Sequence, residues 1–443
     1  MSDDTEVPAE IGPDKNVIWK AKTPNGNSSP VVVDGRIFLT GHEGDARFVL
    51  CLDARTGEEV WRKTLTRSRT EIANPINGYT TPSIATDGKS VFAFIPEFGL
   101  AAYTVEGKDL WQRPLGPFGG VQGMAVSPVY LDGRVYLLID TPEQAWLAAY
   151  DATTGKSQWK AERPIGLLGG YATPAVHKDR NGRMQLIVSG ALELTAYDAE
   201  SGKRVWWATG ITNYPAAPPL VTSDAVYTVE PYGDGGSPPW AEQLTKFDKD
   251  KDGIIQLTEV SGTGPSVAIW QRILRSTDKN MGNNDGEVTE QEFTRAFASE
   301  KPGGGLVRTK LDGKGDVSAT ATLWRHTKGV PYVTAPLLYK DTLYLVRNGG
   351  IVSVFDPKSG KLLRESRLKD AIGDYYASPV AAGNHIYFVS KEGKVSVVSA
   401  TTEWEIVSSG NLDEQAIATP AIAGNRIFIR TENTLWCFGK PHA

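Results

Sequence analysis

Between residues 248 and 259 the chain reads Asp248-Lys-Asp250-Lys-Asp252-Gly253-Ile254-Ile255-Gln256-Leu-Thr-Glu259. Oxygen donors at alternate positions, closed by a carboxylate, suit a hard divalent cation: Ca2+ takes about six to eight oxygens at about 2.3–2.6 Å. They would come from Asp248, Asp250, Asp252, the Ile254 carbonyl, a water near Gln256 and both oxygens of Glu259. Gly253 permits the sharp turn, and Ile255 offers an apolar strand position for pairing with a second loop. That second stretch is DKNMGNNDGEVTEQE, residues 278–292, with three residues too many. Looping out Met281 to Asn283 puts Asp278, Asn280, Asp285, the Glu287 carbonyl and Glu292 in the donor places, with Gly286 at the turn and Val288 opposite Ile255. The expansion leaves calcium binding by this second loop open.

Both stretches follow the pattern of paired EF-hands. PPWAEQLTKF and LTEV flank the first loop, VAIWQRILRS and FTRAFA the second, and each can supply a short helix. The competing reading is a charged surface loop without metal.

Composition narrows what surrounds these loops. The chain has 443 residues, with 47 Lys and Arg against 52 Asp and Glu, so a net charge of -5 implies no basic face and no nucleic-acid partner is expected. No apolar run approaches the roughly 18 residues of a membrane span. Two cysteines cannot build a disulfide framework or a Cys-based zinc site. The acidic start MSDDTEVPAE lacks the parts of a secretory signal, so the protein is either intracellular or a mature form behind a new Met1.

With 46 Gly, 27 Pro and 12 Trp the chain is rich in turns and indoles, and a repeat accounts for both. LCLDARTGEEVW, LAAYDATTGKSQW, LTAYDAESGKRVW and VSVFDPKSGKLLR each give a strand, a Gly turn and a further strand, with AAYTVEGKDLW as a shortened form. A small residue, a proline and an apolar run precede each, at Pro30, Pro82, Pro128, Pro174, Pro218, Pro336, Pro379 and Pro420. Eight units of about 45 residues and four antiparallel strands predict an all-β, eight-bladed β-propeller. NVIWKAK near the N-terminus supplies the strand missing from the last unit and should close the ring. Trp19, Trp61, Trp111, Trp159, Trp206 and Trp324 share one place and should pack between blades, while Arg364 and Val407 hold that place in blades six and seven. Cys51 and Cys437 sit at equivalent positions of adjacent blades, too far apart for a disulfide, so buried thiols are expected.

The interval from Pro218 to Pro336 exceeds the repeat by roughly 73 residues. The expected organisation is a polar tail over 1–15, propeller over 16–231, a small α-helical EF-hand insertion in blade five over 232–304, and propeller over 305–443. The insertion should lie on the face carrying the blade-to-blade connections. On that face, Tyr79, Tyr171 and Tyr376 stand three residues before their prolines, and Tyr214 and Tyr332 four before. Together with Arg67, Arg69, Glu71, Asn77, Gln122, His326, Asp374 and Gln415 they could ring a central funnel and hold a sugar, a quinone or a peptide end. The competing reading is structural packing on the axis. Nucleophile elbows, Walker loops, Rossmann glycines and HExxH are absent, and the five histidines lack ligand spacing.

The phrase YDATTGKSQW and its relatives resemble the tryptophan-docking repeat of the pyrroloquinoline quinone (PQQ) superfamily of eight-bladed propellers, and more closely its non-catalytic, BamB-like branch. The dehydrogenase branch holds PQQ between a Trp and two adjacent cysteines, with calcium beside the quinone. This chain has no Cys-Cys pair, so Ca2+ is the expected cofactor and PQQ is not. The BamB-like branch brings a lipoprotein Cys that is missing here and lacks the insertion found here. Expected, therefore, is a monomeric, calcium-binding, non-catalytic binding or scaffold protein, with a protein or glycan held beside the insertion. The alternative is a divergent quinoprotein oxidoreductase or carbohydrate-acting enzyme using the Tyr-lined funnel. The resemblance, with the millimolar calcium outside cells, implies a periplasmic or extracellular site, the cytoplasm being the other option.

Overall fold

In each repeat the second and third strands are apolar on both faces, so both faces must be covered. In the first repeat, Arg36–Glu43 and Ala46–Asp53 are buried along most of their length, whereas the fourth strand, Glu59–Thr66, alternates towards solvent. Sheets of this kind are satisfied by stacking face to face around an axis. The structure, a computed structural model, describes residues 4–71, 77–120, 122–233, 238–262, 264–299 and 303–440. It is an eight-bladed propeller of antiparallel four-stranded sheets, with blades over 31–66, 85–114, 129–162, 175–209, 220–326, 337–367, 380–411 and 421–439. Val17–Lys22 pairs with Thr434–Gly439 and closes blade eight. Blade four gains a short fifth strand, Gly315–Asp316, in parallel pairing with Trp206 and Trp207.

The row Val31, Phe38, Cys51 and Trp61 crosses blade one, and the equivalent row in blade eight is Ala421, Phe428, Cys437 and Trp19. Both cysteines are buried free thiols. Five of the six docking indoles, all but Trp206, lie against the Gly turn of the next blade, and Trp111 Nε1 donates to the Ala152 carbonyl at 2.8 Å. Gly155 leaves room for that ring: it holds φ 67°, and a Cβ there would lie 2.6 Å from the Trp111 ring. Gly155→Ala should therefore lower unfolding free energy by roughly 1–3 kcal/mol. Gly35→Ala, at φ 73° with nothing nearby, bears only the backbone strain and should cost less. Urea titrations giving equal losses would refute the docking contribution.

Three details differ from the sequence reading. Strand pairing sets Ile84 and Pro219, rather than Pro82 and Pro218, at the place of Pro30, because Ala85 and Leu220 pair as Val31 does. Ser408, rather than Val407, takes the Trp place in blade seven, since it pairs with Val397. The gap left by that missing indole is filled by the expected polar tail. Val7 and Ile11 are buried in the core of blades seven and eight, Ser408 Oγ donates to the Ala9 carbonyl at 2.5 Å, and Tyr387 Oη donates to the Pro8 carbonyl at 3.1 Å.

The insertion leaves blade five between Ala225–Gly233 and Gly303–Lys310, a tighter span than 232–304. Among the described residues it holds three helices, α1 (Trp240–Phe247), α2 (Pro265–Met281) and α3 (Glu290–Ser299). LTEV forms a turn rather than a helix, so α2 alone serves as exit from the first loop and entry to the second. Ile255 pairs with Val288 and Gln256 with Glu287, and Trp240, Trp270, Phe293 and Phe297 pack around this two-stranded ladder.

Candidate metal centre and axial cavity

The first loop turns on itself through its own carboxylates. Asp248 accepts the Lys251 and Gly253 N–H groups at 2.7 and 3.1 Å, Asp250 accepts Asp252 N–H at 3.2 Å, and Asp252 accepts Ile254 N–H at 2.8 Å. Lys251 at φ 64° and Gly253 at φ 87° supply the left-handed turns. Carboxylate oxygens of Asp248, Asp250 and Asp252 come within 4.8 Å of one another. Glu259 reaches across to accept Lys249 N–H at 2.8 Å and Gln256 N–H at 3.1 Å. Gln256 Nε2 donates to Asp252 at 2.8 Å, so of the expected donors the three aspartates gather in one place, while Glu259 closes the loop on backbone N–H groups.

The second loop repeats this network in a shifted register. Asp278 accepts Gly286 N–H at 3.0 Å, Asn283 accepts Asp285 N–H at 3.1 Å, and Asp285 accepts Glu287 N–H at 2.9 Å. Asn283 therefore holds the third place, not Asn280. The extra residues are absorbed by α2, on which the Asn280 carboxamide turns away to the Ser276 hydroxyl at 3.0 Å and the Pro142 carbonyl at 3.4 Å. Glu292 closes the loop on Thr289 N–H at 2.9 Å in a reciprocal capping box.

The helix that links the two loops also docks the insertion on the propeller. Ser276 donates to the Pro142 carbonyl at 2.7 Å in a buried contact, and Arg272 donates to the Gly120 carbonyl. Ile273 and Ala296 bury against Leu167, with Leu168 beside them. Pro142 lies in the loop joining the second and third strands of blade three, and Leu167 and Leu168 lie in the connection from blade three to four. The insertion thus rests on the connection-bearing face. Tyr171 follows three residues later, its hydroxyl donating to the Leu168 carbonyl at 2.7 Å.

Tyr171 lines a cavity of about 320 Å³ on the propeller axis, together with Tyr332 and Tyr376. Burial first, then Tyr332, raises the Tyr171 phenol above its ordinary range. Tyr79 and Tyr214 are not among the lining residues. Their blades are those whose strands start later than the prolines suggest, which moves each tyrosine back from the rim. Tyr79 instead packs edge-on against His42 and under the Arg47 guanidinium. Burial and the charges of Arg47 and Arg430 push His42 down to about 4. Arg69 and Glu71 do not line the cavity either: they pair at 2.6 Å, and Glu71 accepts Phe118 N–H at 3.0 Å, tying successive connections together.

The cavity wall is a belt of hydroxyls that sequence reading missed. Ser29 N–H donates to Ser83 Oγ, Ser83 N–H to Ser127 Oγ and Ser127 N–H to Thr173 Oγ1, at 2.8 to 3.0 Å. On the far side Ala335 N–H donates to Ser378 Oγ, Ser378 N–H to Thr419 Oγ1 and Thr419 N–H to Ser29 Oγ, at 3.0 to 3.1 Å. Pro218 and Ala335 bring no hydroxyl, so the belt opens at blades five and six, the first of which carries the insertion. A Ser or Thr just before the blade proline was the available signal, obscured in blade two by the offset of Pro82.

The family model described as Outer membrane protein assembly factor BamB matches residues 10–138, 49–244 and 143–440. The chain belongs to this family. A BamB-family relative from Burkholderia pseudomallei (strain K96243), named outer membrane protein assembly factor BamB, is 27% identical over 149 residues, 33% of this chain and 33% of that protein. The match thus spans about a third of the relative's length. The fold is also that of BamB from Moraxella catarrhalis, at TM-score 0.56 and 12% identity over 96% of this chain and 99% of the other. A europium-containing methanol dehydrogenase shares it, at TM-score 0.60 and 10% identity over 97% and 95%. Among the described residues of this BamB-family chain, no helix is long and apolar enough to cross a membrane.

Proposed function

We propose that this BamB-family chain is a calcium-binding, non-catalytic binding protein. Its insertion is an EF-hand pair, and the occupied loops hold a ligand face in register beside the axial cavity. The observation that carries this reading is the double role of α2. It begins the second loop at Asp278 and, within two turns, anchors Ser276 on blade three and Ile273 on Leu167. An ion in the loops would orient α2, and α2 bears on the connection that presents Tyr171. The donor set, carboxylates and carbonyl oxygen, is that of a hard cation. The affinity range of extracellular modules fits a location outside the cytoplasm, and the family name supports a protein-facing role there.

PQQ fits the cavity poorly, because no cationic side chain among the described residues lines it to meet the quinone's carboxylates. No Asp, Glu, His, Lys or Cys among the described residues lines it either, which favours binding over catalysis. Hydrogen–deuterium exchange with and without calcium tests the proposal. Chelation should speed exchange at Pro142–Gln144 and Leu167–Leu168 as well as in the loops. Faster exchange confined to 248–259, or no change, would refute the coupling.

A further inference from the structure

We propose that the axial cavity is a binding site for a neutral, polyhydroxylated ligand, the end of a saccharide free of carboxylate, sulfate and phosphate. This rests on the reading of the chain as a binding protein and adds the ligand class.

The first observation is charge. Asn27, Asn77, Gln122, hydroxyls and three tyrosines line the cavity, and no Asp, Glu, Lys, Arg or His does so among the described residues. An anion or an ammonium group entering it would lose water without gaining a counter-ion, which is costly. Nucleotides, free amino acids, peptide ends and uronic acids are disfavoured together.

The second observation is the belt. Ser29, Ser83, Ser127, Thr173, Ser378 and Thr419 each accept a backbone N–H through the hydroxyl oxygen. None of these six hydroxyls donates a hydrogen bond to the described protein, so their hydrogens remain to be satisfied from the cavity. A hydroxyl can both donate and accept. Six of them around one cavity, beside the carboxamides of Asn27, Asn77 and Gln122, match a ligand whose own groups are hydroxyls, each needing a donor and an acceptor.

The third is the aromatic rim. The hydroxyl of Tyr171 is already committed to Leu168, which fixes its ring. Tyr332 is 51% exposed above the same cavity. Rings held beside polar groups offer an apolar face to the C–H side of a sugar and a wet edge to its hydroxyls. The cavity, about 320 Å³, is at the lower limit of small-molecule sites, which suits a chain end rather than a long chain.

The test is binding of the calcium-saturated, full-length protein to an array of neutral, uronic and sulfated oligosaccharides of equal length, followed by calorimetric titration of the strongest. Binding confined to neutral glycans, weakened at least tenfold by Tyr332→Ala, is expected. Tyr332 is half exposed, so its truncation leaves the fold intact, as circular dichroism would verify. Failure of every neutral glycan, equal binding of charged ones, or an unchanged Tyr332→Ala variant would overturn the assignment. The calcium-dependent exchange described above is read separately, so a failed array with an intact calcium response removes the saccharide alone.

Discussion

Replacing Asp248 and Glu259 together by alanine should abolish the calcium dependence of folding stability. In the proposed site these residues supply the first and last donors of the loop. Asp248 also holds the turn through Lys251 and Gly253, and Glu259 spans to Lys249. An ion bound only by the folded protein stabilises it by about 2.7 kcal/mol at a concentration a hundredfold above its dissociation constant. The wild-type melting temperature should therefore rise with calcium and level off, while that of the double variant stays flat. Asp278→Ala, on the second loop, should leave a rise that still levels off, because the first loop keeps all its donors. Calorimetric melts over a calcium series measure all three, and an equal rise in the double variant would show that calcium acts elsewhere.

Breaking the ion pair between Arg47 and Glu97 should destabilise the propeller by about 3–5 kcal/mol. Both side chains are 1% exposed, and Arg47 Nε meets Glu97 at 2.5 Å across the boundary between blades one and two. Arg47 also donates to the Gly44 carbonyl at 2.8 Å and lies over the Tyr79 ring. Arg47→Met leaves a buried carboxylate whose remaining cation among the described residues is Arg67, 3.9 Å away. Arg47→Met with Glu97→Leu removes both charges and should recover most of the loss, because a buried pair returns little more than its desolvation cost. Urea unfolding of the three variants decides the matter. A loss under about 1 kcal/mol for Arg47→Met would mean that water reaches the pair.

Much of this molecule was legible before any coordinates. The strand–turn–Trp phrase specifies a blade because alternation, a Gly turn and an indole are all local demands. The unpaired last strand and NVIWKAK together required closure. The acidic loop was readable because its carboxylates sit within twelve consecutive residues. Registers were not, since a proline marks a strand start only approximately and pairing with the neighbouring strand decides the rest. Hence Pro82 and Pro218 misplaced Tyr79 and Tyr214, and Asn280 was given a place that belongs to Asn283 once α2 extends to Met281.

The sequence by itself determined the repeat, its number, the closing strand and the position of the inserted module, because each depends on contacts within one unit or between successive ones. Tertiary structure alone decided the hydroxyl belt, the Arg47–Glu97 pair, the docking of α2 on blade three and the burial of the N-terminal tail over blade seven. Those join residues from separate blades whose distances are set by ring closure, and no local pattern encodes where a closed ring brings its parts together.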